Sequence, residues 1–316
     1  MKAASLKFWG VRGSIPSPGG RTVFYGGNTS CVEVRVGDEI IILDAGTGIR
    51  GLGKSLELEF KNRPIAVSLL ITHTHWDHIQ GFPFFIPAYN ARNSVTIYGF
   101  EGARQGLQSA LSVQMDSPYF PVSLEKMPGQ IQFYELKNLQ FKVGSVSVQA
   151  QFLNHPGVCT GYRIFTLGGS ICYLPDVELF PEHIVDAVPN DATDPSFPGT
   201  QNEKLIEFIR GAEVLVMDSQ YNVAEYHEHS GWGHSCVADV VAVAVRAGVK
   251  RLYLFHHDPD HSDEDVTGLV EHARQTACQL RSPILIEAAR EGLEAQIEAS
   301  EPTAGTLAQP FEKGRS

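Results

Sequence analysis

Ala66-Val67-Ser68-Leu69-Leu70-Ile71-Thr72-His73-Thr74-His75-Trp76-Asp77-His78 is the stretch on which the reading of this chain turns. Its first seven residues are almost continuously apolar, which is expected of a strand buried on both faces. The strand runs into four residues of metal-ligand type within six positions: His73, His75, Asp77 and His78. Imidazole nitrogen and carboxylate oxygen suit zinc and similar divalent ions. In extended chain, residues i and i+2 project to one side, so His73 and His75 can chelate one ion. Asp77 and His78 fall where the chain turns and can face a neighbouring ion. The plain alternative is a polar loop with incidental histidines, and four such residues directly behind a hydrophobic strand count against it.

Six positions cannot complete two coordination shells, so further ligands must come from elsewhere. Four other apolar runs deliver a His or Asp at or just past their ends. His155 follows residues 146–152, Asp176 follows 170–174, Asp218 follows 214–217, and His256 closes 252–255. Singly, each reads as an ordinary polar strand end. Together they repeat one pattern, a site assembled from the strand ends of a sheet edge.

The rest of the chain agrees with a large α/β unit. Its 316 residues, 43% hydrophobic and 19% charged, can bury a sizeable core. Strands are expected at 6–9, 31–36, 39–43, 95–98, 131–136, 146–152, 162–165, 170–174, 214–217 and 249–255, with a hairpin turn at Gly37-Asp38. Helices are expected at 101–113, 204–210, 235–247 and 263–280; in the third, Val237, Val240, Val241 and Ala244 follow the 3.6-residue period. The proline-bearing stretch 114–129 reads as an ordered loop, and 181–200 as a polar segment. Strands followed by βαβ-like ends, twice over, predict an αββα sandwich of two mixed sheets with helices on the outer faces. One domain is expected over 1–298, with a loose tail at 299–316.

Formal net charge is -11, which disfavours a large nucleic acid as obligate partner. The five cysteines show no C-x-x-C spacing and read as reduced thiols of a cytoplasmic protein. No run is long enough for a membrane span, and a homodimer is an allowed assembly.

His73-Thr74-His75-Trp76-Asp77-His78, followed in order by His155, Asp176 and His256, resembles the metallo-β-lactamase superfamily. The likeness spans about residues 5–290. It implies two divalent ions, zinc foremost with Mn²⁺ and Fe²⁺ as alternatives. One would be held by His73, His75 and His155, the other by Asp77, His78 and His256, with Asp176 bridging. Within the superfamily the motifs are most similar to the ribonuclease Z and cyclic-phosphodiesterase branch. Trp9-Gly10-Val11-Arg12-Gly13-Ser14 with Gly26-Gly27-Asn28-Thr29-Ser30 is similar to that branch's N-terminal loop, Gly161-Tyr162-Arg163 follows the His155 motif as it does there, and Gly233-His234-Ser235 resembles its His-Ser/Thr motif.

The resemblance implies a hydrolase that acts through a hydroxide between the ions, with Asp77, Asp176 and His234 as catalytic residues. A small phosphodiester such as a cyclic nucleotide is expected, because residues 179–202 are short and acidic where ribonuclease Z carries a tRNA-gripping arm. A lactone or thioester hydrolase and a non-catalytic metal-bound sensor are the rivals. Arg12, Asn28, Asp218, Trp232 and His257 are candidates for substrate contact or for bracing the ligands. Arg12 could equally make a surface salt bridge. Asp218 is read foremost as an acid orienting a histidine, and secondarily as a ligand. His227 and His229 are read as a solvent loop, and Tyr119, Phe120 and Trp232 as core rather than as stacking platforms.

Overall fold

Apolar runs with no alternation become strands with two buried faces. In the computed structural model, which describes residues 4–100, 106–180 and 198–298, the first sheet holds β1 (Ala4–Gly10), β2 (Cys31–Val36), β3 (Glu39–Leu43), β4 (Ala66–Leu70), β5 (Ser94–Gly99) and β6 (Gln130–Glu135). The second holds β7 (Gln140–Val143), β8 (Val146–Phe152), β9 (Thr160–Thr166), β10 (Gly169–Leu174), β11 (Val214–Asp218), β12 (Arg251–Phe255) and β13 (Leu285–Ala288). The last strand, β14 (Glu294–Ile297), returns to the first sheet beside β1. The orders are β14-β1-β2-β3-β4-β5-β6 and β13-β12-β11-β10-β9-β8-β7. Each sheet is antiparallel at one end and parallel at the other, from β3 to β6 and from β10 to β13.

Alternate residues of one strand enter different cores. Ile41 and Leu43 of β3 meet Val216 and Phe255 of the second sheet in the layer between the sheets. Ile40 and Ile42 face outward, onto Leu52 and Leu56 of α1 (Ile49–Phe60), Ile79 of α2 (Trp76–Ile79) and Leu107 and Leu111 of α3 (Leu107–Val113). On the far side, Leu215, Met217, Leu252 and Leu254 pack on α4 (Pro198–Ile209), α6 (Val237–Arg246) and α7 (Asp263–Gln279). The short α5 (Val223–His229) lies between α4 and α6 in sequence. Capping boxes start α5 at Asn222/Glu225 and α7 at Ser262/Asp265, each worth about 1 kcal/mol. The αββα sandwich is therefore the observed fold.

Several elements escape the sequence reading. α1 carries Gly51 and Gly53, so its helical pattern of Ile49, Leu52 and Leu56 is diluted. β7, β13 and β14 have four residues each, half of them exposed on β13 and β14, too short to stand out by periodicity. The expected helix at 101–113 is seen from Leu107; 101–105, like most of 181–200 and all of 299–316, lie outside the described residues. The helix expected at 204–210 extends back to Pro198. The loop 114–129 is anchored by buried Met115, Leu124 and Met127. No helix among the described residues is long and apolar enough to cross a membrane.

Candidate metal centre

β4 ends at Leu70, and α2 begins at Trp76 with His75 still extended at its N-cap. The short turn of helix swings Asp77 and His78 away from His73 and His75. Asp44, just past β3, fixes this corner: its carboxylate accepts from the Thr72 backbone N–H at 2.8 Å and from the Thr72 hydroxyl at 2.9 Å. Asp77 Oδ2 accepts from the Ser14 backbone N–H at 2.8 Å. Ser14, Asp44 and His256 all have φ near +60°, a conformation that costs on the order of 1–3 kcal/mol for such residues and needs a rigid surround.

Seven side chains converge from the expected strand ends and the His73–His78 corner. One ligand-type atom from each of His73, His75, His155 and Asp176 lies within 4.8 Å of the others, and the same holds for Asp77, His78, Asp176 and His256. Asp176 is common to both groups and divides its oxygens between them. Its Oδ2 is 3.6 Å from His73 Nε2 and 3.7 Å from His155 Nε2. Its Oδ1 is 3.0 Å from His78 Nε2 and 3.3 Å from His256 Nε2. Asp77 Oδ2 lies 3.2 Å from His78 Nε2 and 3.1 Å from His256 Nε2. His75 Nδ1 sits 3.1 Å from His155 Nε2.

Four of the five rings are braced from behind. His73 Nδ1–H donates to the Thr72 hydroxyl (3.1 Å), His78 Nδ1–H to Asp44 (2.8 Å), His155 Nδ1–H to the Gly233 carbonyl (2.9 Å) and His256 Nδ1–H to Gln220 Oε1 (3.0 Å). Each bond fixes a tautomer whose Nε2 lone pair turns inward. Gly233 is required for the third: its φ is +92°, and a Cβ there would collide with the His155 ring. Gly13 lies equally tight against His256.

Within this cluster His73 Nε2, His78 Nε2 and Asp176 Oδ1 are buried without a hydrogen-bond partner. An orphaned buried polar atom costs about 1–3 kcal/mol, and three facing one another are what a pair of divalent ions would satisfy. The electrostatics point the same way. Burial and the neighbouring His78 hold the His73 imidazole well below its usual range. Burial would protonate Asp176, but His256, His78 and His73 outweigh it and hold the carboxyl well below the carboxylate range. Neutral imidazole and ionised carboxylate are the coordinating forms. At His78, burial is overcome by Asp176, Asp77 and Asp44, which raise its pKa well above normal; a field that holds a proton there also attracts a cation.

Beside the seven stands His234, its ring stacked 4.8 Å from His256. Its Nδ1–H donates to Asp218 Oδ2 at 2.7 Å. Burial opposes the charged ring, but Asp218 outweighs it and raises the pKa to about 9. Asp218 also accepts from the backbone N–H groups of Val177 and Gln220, and one ligand-type atom from each of Asp218, His234 and His256 lies within 4.8 Å of the others.

Other candidates lie elsewhere. Arg12 is fully buried; its guanidinium donates to the carbonyls of Gly26, Asp258 and His261 and lies 4.0 Å from the Asp263 carboxylate, so it ties loops together from beneath the surface. Asn28 donates to Glu291. His257 donates to the Ala289 carbonyl, and burial lowers its pKa to about 3. These three brace loops and not the ligand rings. Trp232 and Tyr119 are exposed rather than core, while Phe120 packs on Phe84. His227 and His229 belong to α5, not to a loop, because the Asn222 cap starts a helix there.

Three bracing residues escape the sequence reading. Asp44 ends an apolar strand, and the strand-end pattern would have found it. Gln220 and Glu178 carry no such signal.

The fold and the paired clusters define a metal-binding hydrolase of metallo-β-lactamase architecture. A family model described as the Beta-lactamase superfamily domain matches residues 39–257, and the chain belongs to that superfamily. A Streptococcus pneumoniae (strain CGSP14) protein named Ribonuclease Z is 27% identical over 288 residues, covering 78% of this chain and 89% of its own. A Ribonuclease Z of Streptococcus suis (strain 98HAH33) is 26% identical over 286 residues, with the same coverage of 78% and 89%. Among solved structures, the metallo-beta-lactamase fold protein YhfI from Bacillus subtilis aligns with a TM-score of 0.64 at 15% identity over 93% of this chain and 100% of its own. A diphosphatase of the PhnP family aligns with a TM-score of 0.62 at 18% identity over 94% and 98%. Human tRNase Z, short form, gives 0.59 at 18% over 93% and 99%. At these identities the structural likeness speaks to the fold.

Proposed function

We propose that the chain is a dinuclear phosphodiesterase acting on a small phosphodiester such as a cyclic nucleotide. In this reading His73, His75 and His155 hold one divalent ion, and Asp77, His78 and His256 hold the other. Asp176, whose two oxygens face different histidine groups, would serve both. Zinc fits the nitrogen-rich donor set foremost, and residues 1–298 form the single domain. The five thiols are unpaired, which supports a reducing, cytoplasmic setting.

Two divalent ions bound there would supply a water acidified toward neutral pKa and positive charge for the phosphoryl oxygens. The protein's own part begins at Asp176, which sets the spacing of the two pockets, and Asp77, which the Ser14 N–H holds in place. His75 is exposed and marks the open side. The observation that carries the phosphodiester reading is the His234–Asp218 pair. Asp218 accepts the hydrogen bond from Nδ1–H, which leaves Nε2 to carry a second proton. A positioned imidazolium stabilises a dianionic phosphorane-like transition state and protonates a departing alkoxide.

RNA is the second reading, and the name Ribonuclease Z borne by curated relatives favours it. The net charge of -11 supports the small substrate, because a polyanion needs a basic face. Metal-loaded protein should therefore turn over cyclic nucleotides or bis(p-nitrophenyl) phosphate faster than precursor tRNA or a lactone. A wide margin for tRNA or the lactone would remove the small-phosphodiester assignment. His234→Ala should keep both ions yet lower kcat on the order of 10²–10⁴-fold, more for an alkoxide than for p-nitrophenolate. Loss of an ion, or full rate on both substrates, would remove His234 from this role.

A further inference from the structure

Glu178 stands two residues past Asp176 and is half-buried. Its carboxylate takes part in three hydrogen bonds. Oε1 accepts from the Tyr226 hydroxyl at 3.0 Å and from the Gly231 N–H at 2.7 Å, and Oε2 accepts from the Gly233 N–H at 2.9 Å. Gly231 and Gly233 have φ of +87° and +92°, which turns both amides toward one anion, as in an anion-binding nest. The backbone of Glu178 is tied as well: its N–H donates to the Asn154 carbonyl and its carbonyl accepts from Asn154 Nδ2. One residue thus joins the segment carrying Asp176, the loop carrying His155 and the turn that leads into His234.

The far side of that turn is the Gly233 carbonyl, which accepts the hydrogen bond from His155 Nδ1–H. We infer that Glu178 is a positioning residue for the outer metal pocket, acting through Gly233 to hold the His155 ring in the tautomer and rotation that presents Nε2 beside Asp176. The inference rests on the reading of His73, His75 and His155 as an ion site. Charge matters here. An anion facing two amides makes stronger bonds than a neutral acceptor, and an amide side chain can offer its oxygen to only one side while its NH₂ opposes the other N–H. The hydrogen bonds of Glu178 and Gly233 described above reach His155 and none of Asp77, His78 and His256, so the effect should fall mainly on one ion of the two.

The test is zinc titration of full-length Glu178→Gln with the two binding steps resolved by a competing chelator. One step should weaken about 10–100-fold, the usual range for losing a partner behind a ligand, while the other stays at the wild-type value. Equal weakening of both steps, or of neither, overturns the proposal. Should Glu178→Gln fail to fold, Gly233→Ala, which drives a methyl into the His155 ring, must give the same one-sided loss, and a two-sided or absent loss overturns it. A readout independent of metal comes from imidazole ¹⁵N spectra of the metal-depleted chain. His155 should be a single Nδ1–H tautomer in wild type and a mixture in Glu178→Gln; an unchanged tautomer in the variant sinks the inference. If wild-type protein binds no zinc, the two-ion reading fails, and this tautomer result still decides whether Glu178 positions His155.

Discussion

The two pockets share Asp176 and differ in what stands behind them. Asp77, His78 and His256 are all buried, and behind His78 lies a second carboxylate, Asp44, which the Tyr173 hydroxyl and Thr72 also contact. His75 is exposed and His155 half-buried. The braces of that trio are neutral: the Thr72 hydroxyl, the Cys159 thiol 3.7 Å from His73, and the Gly233 carbonyl. One pocket sets fixed negative charge in a poorly screened interior, the other sets dipoles near water. Coulomb attraction for a dication is far stronger in the first setting, so the inner pocket should bind tighter and exchange more slowly. Exposed His75 puts the outer one on the side open to solvent.

The largest effect should come from erasing what the pockets share. Asp176→Ala is expected to release both ions and bring turnover to background; metal analysis showing two retained ions would dissolve the bridging assignment. Next is a change confined to the open side. His75→Ala should leave one ion bound and no turnover, and a variant with neither ion would show that the pockets do not load separately. In wild-type protein, graded chelation should remove one ion well before the other, and the His75→Ala protein should lack the early phase; a single simultaneous release would contradict the asymmetry. Asp44→Asn should weaken the inner ion about 10–100-fold and the outer one less, through the Thr72 hydroxyl that links Asp44 to His73. Gln220→Leu, which removes a neutral partner of His256, belongs at the lower end, about tenfold, measurable by competition with a chromogenic chelator.

The ligands of both pockets were legible in sequence, His73 and His75 as much as Asp77 and His78. Asp77 and His78 stand in one hexapeptide, and His256 ends an apolar strand, so residue type and position announce them. His155 and Asp176 were legible by the same rule, which applies equally to Asp44. The bracing layer was not. Glu178 reaches Gly231 and Gly233 from 53 and 55 positions away, and nothing in its local pattern marks an inward side chain. Arg12 misled for a related reason: a charged residue in a glycine-rich loop reads as exposed, yet three backbone carbonyls from two loops enclose it. The sandwich was readable from strands buried on both faces, whereas α1 and the four-residue strands were hidden by glycines and by length.

The inner pocket is also a statement about assembly in time. His256 and Asp77 meet at 3.1 Å although 179 positions separate them. At a synthesis rate of about 5–20 residues per second, Asp77 precedes His256 by on the order of ten to forty seconds. Asp77 and His78 follow β4 of the first sheet and His256 follows β12 of the second, so the pocket closes only after both sheets have formed and docked. Such distant closure is slow. An ion held by these three residues would need both sheets in place, so its uptake during refolding should follow their docking rather than the first collapse.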